Sequence, residues 1–181
     1  MPFHELPPEA RDLLAKYAAP PRLVAHLTIV HDVAFKLIKH FKACWPTLEF
    51  DQQRVLFGAA THDLGKAVVT NELTGPGSQH EEIGPQLLLE CGFPEAYARF
   101  ARTHAQWDRE ASPQLEDLLV AFADKIWKGK RDEALEQEIA QQIARQCQEE
   151  LWQVYIKLDD MANDLAKDAH DRILWQGTYA P

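Results

Sequence analysis

The strongest constraint on this chain is its helical period. From Pro21 to about Ala43, the apolar residues Leu23, Leu27, Val30, Ala34, Leu37, Ile38 and Phe41 recur every three or four positions. That spacing lines one face of an α-helix. No segment shows the sustained alternation of a half-buried strand. The pattern predicts an all-α fold.

The remaining elements follow from punctuation. A short helix is expected from about Pro8 to Tyr17, closed by Pro20-Pro21. Asp51 can cap a helix over Gln52 to Thr61 or a little further. The stretch Val68 to Gln79 holds Gly75-Pro76-Gly77-Ser78 and reads as a loop. Ser78 and Glu81 have capping-box spacing, which predicts a helix from near Gln79 to Cys91 with Gly92 just past its end. Pro94 opens a further helix to about Trp107, and Ser112-Pro113 another to about Lys128. From Asp132 to Lys167, Leu135, Ile139, Ile143, Cys147, Leu151, Tyr155, Leu158, Met161 and Leu165 fall at mostly four-residue steps. One long helix or two shorter ones would satisfy that pattern, packed on the protein's own core or on a twin subunit as a homodimer.

Bulk composition narrows the class. The 181 residues suit one domain, 46% hydrophobic and 26% charged, large enough to bury a core without disulfides. Cys44, Cys91 and Cys147 are odd in number and far apart, and they read as reduced, partly buried thiols. No apolar run approaches membrane-spanning length, and Met1 to Leu6 lacks the basic region and apolar core of a signal peptide. A cytoplasmic protein without a membrane partner is expected. The net charge of −9, with no cluster of basic and aromatic residues, argues against binding duplex nucleic acid. A small phosphorylated substrate stays compatible, because a metal ion supplies local positive charge.

The run Thr61-His62-Asp63-Leu64-Gly65-Lys66 carries the chemistry. Adjacent side chains on a helix diverge by roughly 100°, so His62 and Asp63 meet on one object only if it lies across both. A divalent metal does so, since neutral imidazole and carboxylate are both good ligands. Lys66 lies one turn on from Asp63, where an ammonium could meet a phosphate. The alternative is a surface His-Asp pair ahead of a glycine. Among the eight histidines, His26 and His31 lie in the second helix, His62 ends the third, His80 starts the next, and His104 falls near the end of another. Asp124 interrupts the apolar run Leu119 to Ile126, where a lone carboxylate is costly to bury and wants a partner. His31 reads as a packing residue, and His4, His40 and His170 as surface residues.

These residues together resemble the HD superfamily of metal-dependent phosphohydrolases. Its pattern is a helical His, a His-Asp doublet and a distant Asp, here His26, His62-Asp63 and Asp124, with the doublet in the His-Asp-x-Gly-Lys form. A subset adds two histidines, matched by His80 in Gln79-His80-Glu81-Glu82-Ile83-Gly84 and by His104 in Arg102-Thr103-His104. The phrase Leu87 to Pro94 between them is also similar. The resemblance covers roughly His26 to Arg131. It implies a helical HD core over about residues 21–131 in a single domain spanning 1–181, with a C-terminal helical extension over about 132–176.

The resemblance further implies two divalent metals. One would be held by His26, His62, Asp63 and Asp124, the other by His80 and His104, with Asp63 bridging. Iron, manganese or another first-row ion suits these ligands, with magnesium as an alternative. Asp63 and Lys66 would be the catalytic residues, Lys66 stabilising charge on phosphate oxygens. Arg102 and Lys125 are weaker candidates for that work. The Gly-Tyr-Pro signature of the related cyclic-dinucleotide phosphodiesterases is missing after His104, and Arg22 stands where a third-metal carboxylate would be expected. The implied function is hydrolysis of a phosphate ester or anhydride in a small nucleotide-like substrate. The alternatives are a di-iron oxygenase of the same superfamily, which Lys66 disfavours, or a non-catalytic module that senses a nucleotide or binds a partner. Substrate determinants are expected in Val68 to Gln79 and in Ala105 to Pro113, with Trp107 either a surface on which a base could stack or a ring packed into the protein.

Overall fold

Prolines open the first two helices, where the missing N–H is an orphan in any case and the fixed φ suits the first turn. The computed structural model describes residues 3–180; Met1 and Pro2, the start of the stretch read above for a leader, and Pro181 lie outside the described residues. These residues form α1 (Pro8–Lys16), α2 (Pro21–Cys44), α3 (Gln52–Thr61), α4 (Gln79–Glu90), α5 (Glu95–Ala98), α6 (Phe100–Gln106), α7 (Leu115–Ile126), α8 (Glu133–Cys147), α9 (Leu151–Ala166) and α10 (Ala169–Gly177). There is no strand among them, and no helix is long and apolar enough to cross a membrane.

The long α2 is the central element, packing on α3, α7, α9 and α10. Its Val30, Leu37 and Phe41 are buried with Val55 and Ala59 of α3, Leu118 and Phe122 of α7, Ile139 and Ile143 of α8, and Leu158 and Leu165 of α9. Each large apolar side chain removed from water there contributes about 1.5–3 kcal/mol. The inner face of the C-terminal stretch therefore covers the protein's own core. Its four-residue rhythm is divided in two: Gln148 takes a left-handed backbone (φ 55°), which ends α8 three residues before α9 begins. Arg131 ties the two helices, donating to buried Glu136 of α8 (2.8 Å) and to Asp159 of α9 (2.7 Å).

Several local expectations change. The loop from Val68 to Gln79 contains a 3-10 turn, Thr70–Leu73, and a second such turn, Leu64–Ala67, follows α3 directly. Ser78 makes no side-chain cap on α4, because a carboxylate from the loop satisfies those amides instead. The helix expected from Pro94 to Trp107 is divided into α5 and α6, and Trp107 starts a third 3-10 turn, Trp107–Arg109. Helix α7 begins two residues after Pro113, with Asp117 accepting from the Gln114 N–H (3.1 Å). Cys44 is exposed rather than partly buried, and all three cysteines are free.

His4 is not an idle surface residue. Its ring stacks on Phe35 with centroids 3.7 Å apart, and its Nδ1 and backbone N–H lie 2.7 and 3.2 Å from Oδ1 of Asp32. Asp32 is fully buried and also pairs with Lys36 at 2.9 Å, so the N-terminal segment satisfies a charge that α2 could not bury alone.

His31 is buried, as expected for a packing residue, and its Nδ1 has no hydrogen-bond partner. Burial pushes this imidazole down to about 4. Its folded pKa lies below the unfolded value near 6.5, so the unfolded chain binds the proton more readily. This residue's contribution is intact above about pH 6.5 and is lost as pH falls from there toward 4, by up to about 3 kcal/mol. In urea titrations at pH 7.5, 6 and 5, His31→Leu should lose less stability on acidification than wild type; parallel losses would contradict this.

Candidate metal centre

Helix α3 ends at Thr61, and that ending lets the His-Asp doublet converge. His62 caps the helix, and its backbone N–H still donates to the Gly58 carbonyl at 2.8 Å. Asp63 then takes φ −101° and ψ 14°, in the sparsely populated bridge region where many active-site residues sit. The turn tightens to 3-10 at Leu64. The two adjacent side chains are thereby released from helical divergence and reach the same space.

The other candidates arrive on separate helices: His26 on α2, His80 in the first turn of α4, His104 on α6 and Asp124 on α7. Gly65 permits the approach of α4, because a Cβ on it would lie 2.2 Å from the His80 carbonyl oxygen. Helices α6 and α7 are locked together by fully buried Asp117, which meets Thr103 Oγ1 at 2.9 Å and Arg99 at 2.8 Å. That lock sets His104, the neighbour of Thr103, against Asp124 two turns further along α7.

All six side chains expected as ligands gather around Asp63. On its Oδ2 side, His26 Nε2 stands 3.2 Å away and His62 Nε2 3.8 Å. The same two nitrogens lie 3.3 and 3.4 Å from Asp124 Oδ1 and 3.2 Å from each other. On the Oδ1 side, His80 Nε2 is 3.2 Å away and His104 Nε2 3.5 Å. Two groups, His26-His62-Asp63 and Asp63-His80-His104, could each hold a metal ion, and Asp63 belongs to both.

The donor set fits cations well. Asp63 Oδ1 is buried and makes no hydrogen bond, although two imidazole nitrogens face it. Three histidines have their far nitrogen engaged: His62 Nδ1 with the Ala59 carbonyl (3.1 Å), His104 Nδ1 with the Phe100 carbonyl (3.1 Å) and His80 Nδ1 with Glu72 Oε2 (2.5 Å). An N–H donated at Nδ1 leaves a lone pair on Nε2, the tautomer a metal ligand needs.

Charge follows the same geometry. Burial opposes ionisation of Asp63, but His62, His26, His80 and Lys66 outweigh it and hold the carboxyl well below the usual range. Asp124 is held low in the same way, burial being outweighed by His26 and His62. Burial, reinforced by repulsion from His62, pushes His104 down to about 4, so that ring is neutral at pH 7.

Lys66 is positioned differently from a free phosphate binder: its ammonium lies 2.6 Å from Asp63 Oδ2. It still lines the cavity of about 240 Å³ above the cluster. His26, Asp63, His104 and Asp124 contribute to that cavity, and Arg22, Leu73, Trp127, Lys128 and Gln176 complete its walls. Trp107 does not take part. It packs against the core at the turn after α6, and the aromatic residue at the site is Trp127, edge-on to His26 with centroids 5.3 Å apart. Leu73 comes from the expected loop, whereas no residue of Ala105 to Pro113 lines the cavity. Arg102 pairs with Glu110 and Lys125 with Asp132, as solvated helix-surface charges do.

Glu72 went unrecognised in the sequence. Besides holding His80 Nδ1, its two oxygens accept the Gln79 and His80 backbone N–H groups at 3.0 and 3.1 Å, which caps α4. A side chain at Gly77 would collide with this carboxylate. An acid in a glycine-containing loop ahead of a histidine-bearing helix was the available signal.

A family model described as HD domain matches residues 10–127, well over half of the chain and spanning every candidate ligand. No solved structure matches the chain.

Two measurements test the arrangement. Asp63→Ala should reduce bound metal to background in elemental analysis, because both groups lose a member; retained stoichiometry would exclude a bridging Asp63. Glu72→Gln should weaken binding of the more labile metal by about 10–100-fold in a chelator competition while the helical circular dichroism stays unchanged.

Proposed function

The chain belongs to the HD-domain family, and from that premise we propose that it is a metal-dependent phosphohydrolase that cleaves a phosphate ester or anhydride of a small nucleotide-like substrate. The observation that carries this reading is the convergence of His26, His62, His80 and His104 on the two oxygens of Asp63, one of them buried without a hydrogen bond. Asp124 closes the set through the His26 and His62 nitrogens.

In this reading His26, His62, Asp63 and Asp124 would hold one divalent ion, and His80 and His104, together with Asp63, would hold a second. Four imidazoles favour iron, manganese or another first-row ion over magnesium, which prefers oxygen ligands. Such ions, when bound, supply Lewis acidity toward phosphoryl oxygens and acidify water. The hydrolysis itself forms a bond from a water oxygen to phosphorus, breaks the bond to the leaving oxygen, and delivers a proton to the leaving group.

The chain's own side chains supply orientation and charge. Glu72, the Ala59 carbonyl and the Phe100 carbonyl fix three imidazoles in the tautomer whose Nε2 faces inward. Lys66, at the cavity wall, can transfer part of its attraction from Asp63 to the oxygens of an incoming phosphate as negative charge develops there. That ammonium beside the doublet supports phosphate chemistry over oxygen activation. Trp127 and Leu73 add apolar surface to a wall that is mostly polar.

Purified protein loaded with Mn²⁺ or Fe²⁺ should hydrolyse at least one of p-nitrophenyl phosphate, bis(p-nitrophenyl) phosphate and a panel of nucleotides. The activity should vanish with chelator and return with metal. Full metal occupancy without hydrolysis of any ester or anhydride would overturn the reading, and oxygen consumption with a phosphonate or polyol would replace it.

A further inference from the structure

About half of the lysines and arginines of this acidic chain pair with carboxylates. Arg99, Arg102, Lys125, Arg131, Lys157 and Arg172 all pair with carboxylates. Of the cations with no side-chain carboxylate of the described residues within ion-pair distance, Arg22 and Lys128 are the two that line the cavity above Asp63. Lys128 is kept there by its neighbour, its ammonium lying 5.7 Å from the centroid of the Trp127 ring. Arg22 stands in the first turn of α2, one turn before His26, and its backbone N–H donates to the Ala180 carbonyl at 3.1 Å.

The cavity is small. At about 240 Å³ it is below the range of roughly 300–1,000 Å³ typical of pockets that enclose a whole ligand. It has room for the phosphate-bearing end of a nucleotide, and the rest of the substrate must be recognised at the mouth. A single phosphate at the ligand cluster already has Lys66 beside it. A chain with a net charge of −9 nevertheless brings to the same opening two further cations that have no ion-pair partner among the described residues.

We propose that Arg22 and Lys128 form an anion subsite that binds a second phosphate of the substrate, so that the enzyme acts on nucleotides bearing two phosphate groups. The planar guanidinium can grip phosphate oxygens with two parallel hydrogen bonds, and the lysine adds a mobile point charge. Gln176 of α10 supplies a neutral donor and acceptor on the same wall, beyond the segment that matches the family model. Helix α10 is fixed in that position by buried Arg172, which donates to the Leu165 carbonyl at 2.7 Å. The identity of the first phosphate rests on the phosphohydrolase reading; the second phosphate rests on the cations alone.

Calorimetric titration of the Mn²⁺-loaded full chain with AMP, ADP and adenosine 3′,5′-bisphosphate tests the subsite. Wild type should bind at least one two-phosphate ligand ten times more tightly than AMP, and ADP against the bisphosphate tells contiguous from separated phosphates. The double variant Arg22→Gln, Lys128→Gln should bring that ratio to about two or less, with metal content and melting temperature retained. Both side chains are solvent-accessible, so folding should survive; each single variant provides the same readout should the double variant not fold. An absent preference in wild type, or one that persists in the variants, would overturn the subsite. A preference without any hydrolysis would overturn the enzymatic reading and leave the subsite standing.

Discussion

Everything at the centre of this molecule depends on the burial of one carboxylate. Asp63 is almost fully withdrawn from water, yet imidazoles and an ammonium crowd it so closely that it stays ionised. A buried anion of this kind is costly unless partners approach from several directions. Here they approach from α2, from the end of α3 and the turn after it, and from α4 and α6, and the packing of those elements is therefore tied to one charge.

That dependence explains where the chain departs from regular helix. A longer α3 would carry His62 and Asp63 to different faces, and the shift to a 3-10 turn at Leu64 removes the divergence. A bulkier residue at position 65 would push α4 away from the site. Each irregularity lies beside the carboxylate it serves, whereas the apolar seam between α2 and α7 runs without interruption.

Much of this was legible in the residues. The period of α2 and the Asp51 cap are local patterns in the residues, and the order of six candidate ligands follows from the resemblance to the HD superfamily. What could not be read depends on rotation and on long-range closure. Trp107 follows His104 by three residues, but α6 ends at Gln106 and the 3-10 turn swings the ring aside. Trp127 follows Asp124 by the same interval at the end of α7 and stays on its face. The spacing and the point at which each helix stops are the same; what separates them is that Gln106 leaves the helical path (φ −125°, ψ 29°), whereas the Trp127 N–H still donates to the Ala123 carbonyl at 3.2 Å. Ser78 likewise had the spacing of a cap, and lost to Glu72 because the preceding turn folds that carboxylate back over the same amides. Glu72 has no periodic relation to His80, so only the closed loop reveals it.

The six candidate ligands come from four helices and from the two residues that follow α3, at points as distant as His26 and Asp124. No fragment of the chain contains the complete set, so the cluster exists only in the native topology. Any cation that prefers this cluster over the unfolded chain must then stabilise the fold by an amount that grows with the logarithm of its concentration, about 2.7 kcal/mol at a hundredfold excess over Kd, and the thermal midpoint rises with it. Native abundance in a cell would rise and fall with its metal supply.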